Sequence, residues 1–478
     1  MSTNGFRINA RLNRIDRTMA GASALALATV FGMMASGPRF SLVILPVFLC
    51  LLVLRDLRYG VFLYPLFYLF DSFAIPFIGS PPKLLSLLIL FWFFVKGAFE
   101  KREAPSGNRI LGVVFVAFMY VGVISMAHSP LALKNGLLAL QSILLKGLLA
   151  YIVFRIISTR RDLHACFNFY FVMQAALMIL ACFLIFYYRQ PYILRMYQTN
   201  FRGVPIYFQG APINFWADKF PLLNLTLIQF PNIVARAMLV GLPFLAFFVR
   251  TSRGRRRLIY LIGFVLSCAM IFVTFSRSGI LTLALSALLM ALRYRSRKMA
   301  ALFIVFAIIG GCLVINNAEF DNRFEDITTG HYQKELRYDI LIASWETFKR
   351  YPLLGAGPGS QEYEITKRLG LATEHTGHNL IMNILMEYGI AGLTCFLALC
   401  AVLLKRLFSV ERLMCDEEGI LLARAFQIMF ITFLFASQFA PTLNDNHLWY
   451  FVGLALAFQK IAKVERGGGR PYEMLQSA

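Results

Sequence analysis

Long apolar runs recur along the whole chain and constrain its fold more than any other feature. From Thr18 to Lys460 they measure about 14 to 26 residues each, and roughly 20 helical residues cross a bilayer core of about 30 Å. Hydrophobic residues make up 58% of the chain and charged residues only 15%, unlike a soluble protein. We predict an all-α, polytopic helical membrane protein with about 12–14 transmembrane helices. The candidate spans are 19–36, 40–54, 59–79, 83–99, 110–127, 136–154, 164–188, 231–249, 258–275, 279–292, 300–316, 379–404, 420–440 and 447–461.

The basic residues indicate how these spans are oriented. The net charge of +22 could suggest a nucleic acid partner, but 29 of the 47 Lys and Arg residues lie in alternate short loops and at both termini. Short basic segments stay in the cytoplasm. The pattern therefore predicts a multi-pass membrane protein with both termini cytoplasmic, and it does not indicate nucleic acid binding.

Two long connections on the opposite, periplasmic face divide the chain into five regions. They are rich in aromatic and apolar residues, so we expect them to be ordered and functional. The first of them contains Arg195 and Arg202. The predicted regions are N-terminal transmembrane helices (1–188), a first periplasmic loop (189–230), central transmembrane helices (231–316), a large periplasmic loop (317–378), and C-terminal transmembrane helices with a cytoplasmic tail (379–478).

The stretch "FSRSG" places Arg277 between two serines, just before a predicted span. Free backbone N–H groups at a helix N-terminus favour an anion, and a guanidinium adds two parallel donors that suit phosphate. The alternative is an arginine that reaches to the membrane interface, with Ser276 or Ser278 as the helix cap. This motif by itself favours the alternative.

The stretch "KELRYDILIASWETFKRYPLLGAGPGS" indicates a helix followed by a glycine-rich turn. Leu336, Ile340, Leu341, Trp345 and Phe348 recur at helical spacing, which predicts a helix on the membrane surface. Arg337 lies at the apolar edge of that helix, where it could contact a lipid phosphate. The turn allows close backbone approach, although a simple chain reversal explains it equally well.

The stretch "HTGHN" precedes a span that carries Asn379, Asn383 and Glu387 on one helix face. Polar groups inside a membrane usually face a bundle interior or a water-filled cavity. His378, at the mouth of this span, could act as a general base toward a hydroxyl, or its ring could be satisfied by loop carbonyls. A metal site formed by His375 and His378 is disfavoured, because no nearby cysteine or clustered carboxylate completes a ligand set.

The order of these motifs resembles the C-terminal half of the O-antigen ligase and O-antigen polymerase superfamily. The resemblance covers about 230–393 and includes "FPNIVARAML", "FSRSGI", "LRYDIL" and "HNLIMNILMEYGIAGL". It implies a metal-independent, inverting membrane glycosyltransferase of the GT-C class, with no cofactor. The donor would be an undecaprenyl-pyrophosphate-linked oligosaccharide and the acceptor a glycan hydroxyl.

The resemblance also implies roles for individual residues. Arg277 and Arg337 would bind the pyrophosphate, and His378 would be the active-site histidine. The expected substrate-binding residues are Arg195, Arg202, His375, Asn379, Asn383 and Glu387.

The number of spans and the two long periplasmic loops favour a polymerase of lipid-linked repeat units, for an exopolysaccharide or an O-antigen. The expected partners are membrane lipids, a flippase and a chain-length regulator. A ligase that transfers polysaccharide to the lipid A core remains an alternative. A lipid-linked oligosaccharide transporter is more remote: it would use Asp71, Lys146, Arg236 and Glu387 as intramembrane charges, but the chain has no similar halves.

Overall fold

The computed structural model describes most of the predicted helical regions. The described residues are 53, 55–68, 81–99, 109–129, 133–188, 207–208, 211–212, 231–274, 276–295, 333–370, 377, 379–439, 443 and 445–466. The predicted spans 19–36 and 300–316, and nearly all of 40–54, lie outside them.

Thirteen α-helices make up almost all of the described chain. Two short 3-10 helices and a hairpin of two-residue antiparallel strands, β1 (Tyr207–Phe208) and β2 (Ala211–Pro212), accompany them. The all-α prediction is therefore confirmed. The helices are α1 (Leu57–Phe67), α2 (Pro81–Phe99), α3 (Arg109–Ser125), α4 (Leu133–Ile156), α5 (Arg160–Tyr188), α6 (Pro231–Thr251), α7 (Gly254–Val273), α8 (Arg277–Tyr294), α9 (Gln333–Arg350), α10 (Gln361–Leu369), α11 (Leu380–Leu413), α12 (Glu417–Ala436) and α13 (Asn446–Arg466).

Six of the described helices are long and apolar enough to cross a membrane. Most helices begin and end within a few residues of the predicted spans. Two helices differ more: α11 continues to Leu413, beyond the predicted end at residue 404, and α1 ends at Phe67, whereas the predicted span runs to residue 79 and residues 69–80 lie outside the described part of the chain. The six segments are Ile110–His128, Asn135–Ile156, Asn232–Thr251, Gly254–Val273, Leu380–Leu413 and Glu417–Phe439.

Polar caps define where three of the helices begin. The side chains of Ser276, Asn379 and Asp416 each accept a hydrogen bond from a backbone N–H in the first turn of α8, α11 and α12. Such a cap satisfies a donor that has no partner within the helix. Short polar side chains therefore set the helix starts, which apolar periodicity alone does not define.

The chain divides into two compact units that interleave in sequence. One combines residues 1–95 with 164–234, and the other combines 96–163 with 235–478. In the first unit the rings of Phe62 and Phe169 are stacked at 6.3 Å, and Gly60 allows α1 to approach the Ile89 side chain. In the second unit α3 packs on α11, α4 on α13, and α8 on α12.

Helix α6 contributes much of the core of the second unit, and most of its residues are buried. The ring of Phe244 lies 5.0 Å from that of Phe426 in α12 and 5.5 Å from that of Phe451 in α13. Edge-to-face and offset stacked pairs of this kind stabilise a core beyond the area that they bury. Three helices distant in sequence therefore meet at one aromatic cluster.

A buried ion pair joins α6 to the segment before α13. Nη2 of Arg236 lies 2.6 Å from Oδ2 of Asp445, and their side chains are only 6% and 2% exposed. Asp445 also accepts a hydrogen bond from the backbone N–H of His447. Removing one partner of such a pair typically costs about 3–5 kcal/mol, because an uncompensated charge stays buried.

Arg160 links the connection between α11 and α12 to the C-terminal end of α13. Its guanidinium donates to Asp416 at 2.5 Å and to Glu465 at 2.7 Å. The hydrogen bond from Arg160 holds the pKa of the Asp416 carboxyl well below its ordinary value, at about 2. The carboxylate therefore stays ionised, and the contact stays formed, until the pH falls toward that value.

Candidate functional site at the glycine-rich turn and the broken helix

Helix α11 is interrupted at Gly389. This residue has φ 64° and ψ −165°, so residues 380–388 and 390–413 form two helical segments with a break between them. An L-residue rarely adopts such a backbone conformation. A Cβ at this position would also collide with the backbone of Leu353. The break therefore requires a glycine for two independent reasons.

The turn Tyr351–Ser360 inserts its backbone into that break. The N–H groups of Ala356 and Gly357 donate to the carbonyls of Met386 (2.8 Å) and Glu387 (3.0 Å). In the opposite direction, the N–H groups of Ile390 and Ala391 donate to the carbonyls of Pro352 (2.9 Å) and Leu353 (3.1 Å). Four hydrogen bonds thus satisfy backbone groups that the interruption releases, which a segment in an apolar environment requires.

The glycines of the turn make this insertion possible. Gly355, Gly357 and Gly359 have φ of 75°, 96° and 74°, and a Cβ on Gly355 would collide with the backbone of Glu387. The close backbone approach predicted for "GAGPGS" is therefore present, with α11 as the partner. The turn also reverses the chain, so both interpretations of the motif hold.

We call the paired backbone of the turn Tyr351–Ser360 and of α11 around Gly389 the joint. The C-terminal end of α3 packs against this joint. Ser125 is fully buried, and its Oγ lies 2.5 Å from the carbonyl of Leu354 and 2.7 Å from that of Glu387. One hydroxyl thus bridges the turn and the broken helix. The ring of Phe118 stacks on Tyr388 at 4.9 Å. Sequence reasoning missed Ser125, because nothing near it in sequence marks it as more than a serine at a helix end.

The line of polar residues on α11 has partners within the protein. Glu387 accepts hydrogen bonds from the backbone N–H groups of Gly359 and Gln361. Asn383 accepts from the Gln361 side chain at 2.8 Å and donates to the carbonyl of Gly377 at 3.1 Å. Asn379 caps the helix. These side chains tie the turn, the start of α10 and the segment before α11 to one helix face, and their contact with substrate stays a prediction.

Gly377 is packed against the same cluster. A Cβ there would collide with the amide groups of Asn383 and Gln361. Together with the cap at Asn379, this contact anchors both described neighbours of His378 in the chain. Gln361 was not predicted as a site residue, because its role appears only when α10 is placed beside α11.

Helix α9 packs against α10 and α11. Ile340 belongs to a buried cluster with Ile365 and Met386, and Ala343, Ser344 and Thr347 are buried on the same face. The predicted surface stripe included Ile340, and the structure shows instead that this residue points into the protein. Arg337 lies in the second turn of α9.

Arg277 is the first residue of α8 and follows the cap Ser276, whose Oγ accepts from the N–H of Gly279 at 3.0 Å. The capping role predicted for Ser276 is therefore confirmed. A Cβ on Gly279 would lie 2.8 Å from that of Ala235. The start of α8 thus approaches α6 closely at Ala235, the residue before Arg236.

The remaining predicted site residues lie outside the description. These are Arg195, Arg202, His375 and His378, and the side chains of Arg277 and Arg337 are also outside it. Within the described residues, no group of three or more His, Cys, Asp or Glu side chains could hold a metal ion.

Residues 262–397 match a family model described as O-antigen ligase. The matched segment runs from α7 into α11 and contains "SRSG", "LRYDIL", "GAGPGS" and "HN" in the predicted order. It begins after "FPNIVARAML", which the predicted resemblance had included. A search of curated proteins found no match.

Proposed function

We propose that this chain is a member of the O-antigen ligase and O-antigen polymerase superfamily, whose ligase model it matches over residues 262–397, and that it polymerises lipid-linked repeat units on the periplasmic face of the bacterial inner membrane. The donor is a glycan on undecaprenyl pyrophosphate, and the acceptor is a hydroxyl of another repeat unit. The match over residues 262–397 supports the glycosyl-transfer part of this proposal, because it contains all three motifs to which the chemistry is assigned. The preference for a polymerase over a ligase rests on the predicted number of spans and the two long loops.

Bond making and breaking divide among three side chains. The acceptor oxygen attacks the anomeric carbon from the face opposite the diphosphate, the old C–O bond breaks, and the configuration inverts. His378 takes the proton of the attacking hydroxyl. Arg277 and Arg337 bind the diphosphate through paired N–H donors and stabilise the negative charge that it gains. Neither a metal nor a cofactor has a step in this scheme.

The joint between the glycine-rich turn and α11 supports this division of roles. It fixes α9, which carries Arg337, against α11, whose first turn follows His378. Catalytic groups must be held within a fraction of an ångström to be effective. Backbone pairing on both sides of a helix break gives the required rigidity. Arg195, Arg202 and His375 are assigned to the glycan-binding region on the resemblance alone.

A ligase is the second candidate, since the matching family model carries that description. The two activities share the donor and differ in the acceptor, which for a ligase is the lipid A core. The transporter hypothesis is weakened by the partners of two of the proposed intramembrane charges: buried Arg236 is paired with Asp445, and part-buried Lys146 donates to Ser142 at 3.3 Å. These charges therefore do not require a transport pathway to explain them.

Lysine should not replace either arginine of the proposed diphosphate site. A hydrogen bond to a charged group contributes roughly 1.5–3 kcal/mol, and lysine cannot form the paired contact. We expect Arg277→Lys and Arg337→Lys each to lower the initial rate of polymer formation by at least about tenfold to a hundredfold. The measurement is polymer formed per unit of enzyme in membranes of a deletion strain.

Arg350→Lys is the matched control, because Arg350 is an exposed arginine at the far end of α9. Its activity should stay at the level of the unmodified chain. Full activity in Arg277→Lys would contradict the proposed two-donor contact between Arg277 and the diphosphate. Arg277 would then be explained as a residue at the membrane interface.

The proposed orientation predicts which surface cysteines a membrane-impermeant thiol reagent can reach. Glu362 in α10 and Arg253 before α7 are both exposed. In a cysteine-free chain, Glu362→Cys should react in intact spheroplasts, whereas Arg253→Cys should react only after permeabilisation. The reverse pattern would place the joint in the cytoplasm and overturn the periplasmic site.

A further inference from the structure

Helix α9 carries a stripe of partly exposed apolar side chains on the side opposite its buried face. Tyr338, Leu341, Ile342 and Trp345 follow the spacing of one helix face and are 63%, 44%, 42% and 44% exposed. The buried face of the helix, around Ile340, lies on the other side. Asp339, Glu346 and Arg350 occupy the arc between these two faces on one side of the helix. The helix thus has three distinct faces: one packed, one apolar and exposed, and one charged.

Exposed apolar side chains also occur just after α9 and on α11. Leu353, three residues after α9, is 67% exposed, and its carbonyl accepts the N–H of Ala391. Next to Ala391, the side chain of Ile390 is 49% exposed, and two turns further Leu397 is 50% exposed. Exposed leucine and isoleucine on a span of this kind contact lipid. Exposed apolar side chains therefore occur on the span, at the junction formed by Leu353 and on α9.

The length of α11 places this junction at the edge of the hydrocarbon layer. Its 34 residues exceed what a bilayer core requires, since roughly 20 helical residues suffice. The span is bounded at its far end by Lys405 and Arg406. About 20 residues counted back from Lys405 reach Leu385, four residues before the break at Gly389. Leu353 and the end of α9 therefore lie near the boundary between acyl chains and headgroups.

We propose that α9 is an interfacial helix whose stripe Tyr338, Leu341, Ile342 and Trp345 inserts into the bilayer surface. Tyrosine and tryptophan favour this zone because one part of the ring is apolar and another is polar. Lys349, on the side of the stripe but in the last turn of α9, lies 6.0 Å from the Trp345 ring and pairs with Glu346 at 2.8 Å, so a cation lies at the C-terminal end of the stripe and a carboxylate beside it, within reach of headgroups.

This placement bears on the substrate. Arg337 is one helical turn before Leu341 and so lies at headgroup level, where the diphosphate of a polyprenyl lipid also lies. That consequence rests on the proposed function, whereas the position of α9 in the interface does not. The experiment below measures position alone, so its failure would leave the enzymatic proposal open to its own tests.

The test is nitroxide scanning of the full chain in lipid nanodiscs, on a background in which the eight native cysteines are replaced. Labels at Leu341, Ile342 and Trp345 should be more accessible to oxygen than to a water-soluble nickel complex. Their depth should be about 5–10 Å below the headgroups. Labels at Asp339 and Glu346, on the charged face of the same helix, should show the reverse.

Nickel accessibility at Trp345 equal to that at Glu346 would show that the stripe faces water and would overturn the proposal. Low accessibility to both oxygen and the nickel complex would show that protein covers the stripe, which would also overturn the proposal. A second measurement keeps the stripe intact: a chain with Trp345 as its one tryptophan, the other three replaced by Phe. Brominated lipids should quench its fluorescence, and absence of quenching would contradict the proposal.

Discussion

Replacing His378 by alanine should nearly abolish the polymer while lipid-linked repeat units accumulate. A general base typically contributes about 10²–10⁴-fold to the rate, and no other titratable side chain is assigned to the attacking hydroxyl. Arg277 and Arg337 would still bind the diphosphate, so the donor should remain bound and unreacted. The measurement is a polysaccharide gel together with analysis of lipid-linked oligosaccharides in a deletion strain that carries the variant.

His375→Ala is the matched control for this variant. It removes a histidine three residues earlier, in the same segment, and we expect a milder loss of polymer. Both variants must be present in the membrane at the level of the unmodified chain. Normal long-chain polymer from the His378→Ala strain would contradict the catalytic assignment and leave that histidine with a structural role.

Gly389→Ala should disrupt the joint between the glycine-rich turn and α11, with loss of both stability and activity. The strained backbone alone costs an L-residue about 1–3 kcal/mol. The added Cβ would also displace the Leu353 backbone, so the four backbone hydrogen bonds across the break could not all form. Each contributes about 0.5–1.5 kcal/mol. The measurement is the midpoint of thermal unfolding of the detergent-purified protein, together with polymer formation.

Gly112→Ala gives the comparison for a glycine with no such constraint. Gly112 lies in α3, and a Cβ there would meet nothing within 4 Å. Alanine is favoured over glycine in a helix by roughly 1 kcal/mol, so this variant should be unchanged or slightly more stable. If Gly389→Ala behaved like Gly112→Ala, the break in α11 would not be a required feature of the fold.

The helices could be predicted from the sequence because long apolar runs bounded by charge determine them locally. The caps at Ser276 and Asp416 sharpen those limits and are also local. The break in α11 could not be predicted, because an isolated glycine in an apolar run is compatible with an uninterrupted helix. Its cause is the turn some 30 residues earlier, whose backbone replaces the hydrogen bonds of the helix.

The candidate site divides in the same way. The roles of Arg277, Arg337 and His378 rest on short motifs and on the family resemblance, and they stay predictions. Ser125 was missed because its partners, Leu354 and Glu387, are more than 200 residues away in sequence. The predicted surface position of Ile340 was also wrong. The packing of α10 and α11 on α9 decides which apolar residues of α9 are buried, and the sequence of α9 alone does not show it.

The central claim is glycosyl transfer from a polyprenyl diphosphate donor, and reconstitution tests it most directly. Purified protein in liposomes would receive a synthetic undecaprenyl-pyrophosphate-linked repeat unit as both donor and acceptor, in the presence of a metal chelator. The account predicts longer lipid-linked glycans, one released undecaprenyl pyrophosphate per new linkage, an inverted anomeric configuration, and no product from His378→Ala. Product that forms only when a lipid A core acceptor is added would contradict polymerisation in favour of ligation, and failure of the donor to react with either acceptor would contradict the claim of glycosyl transfer.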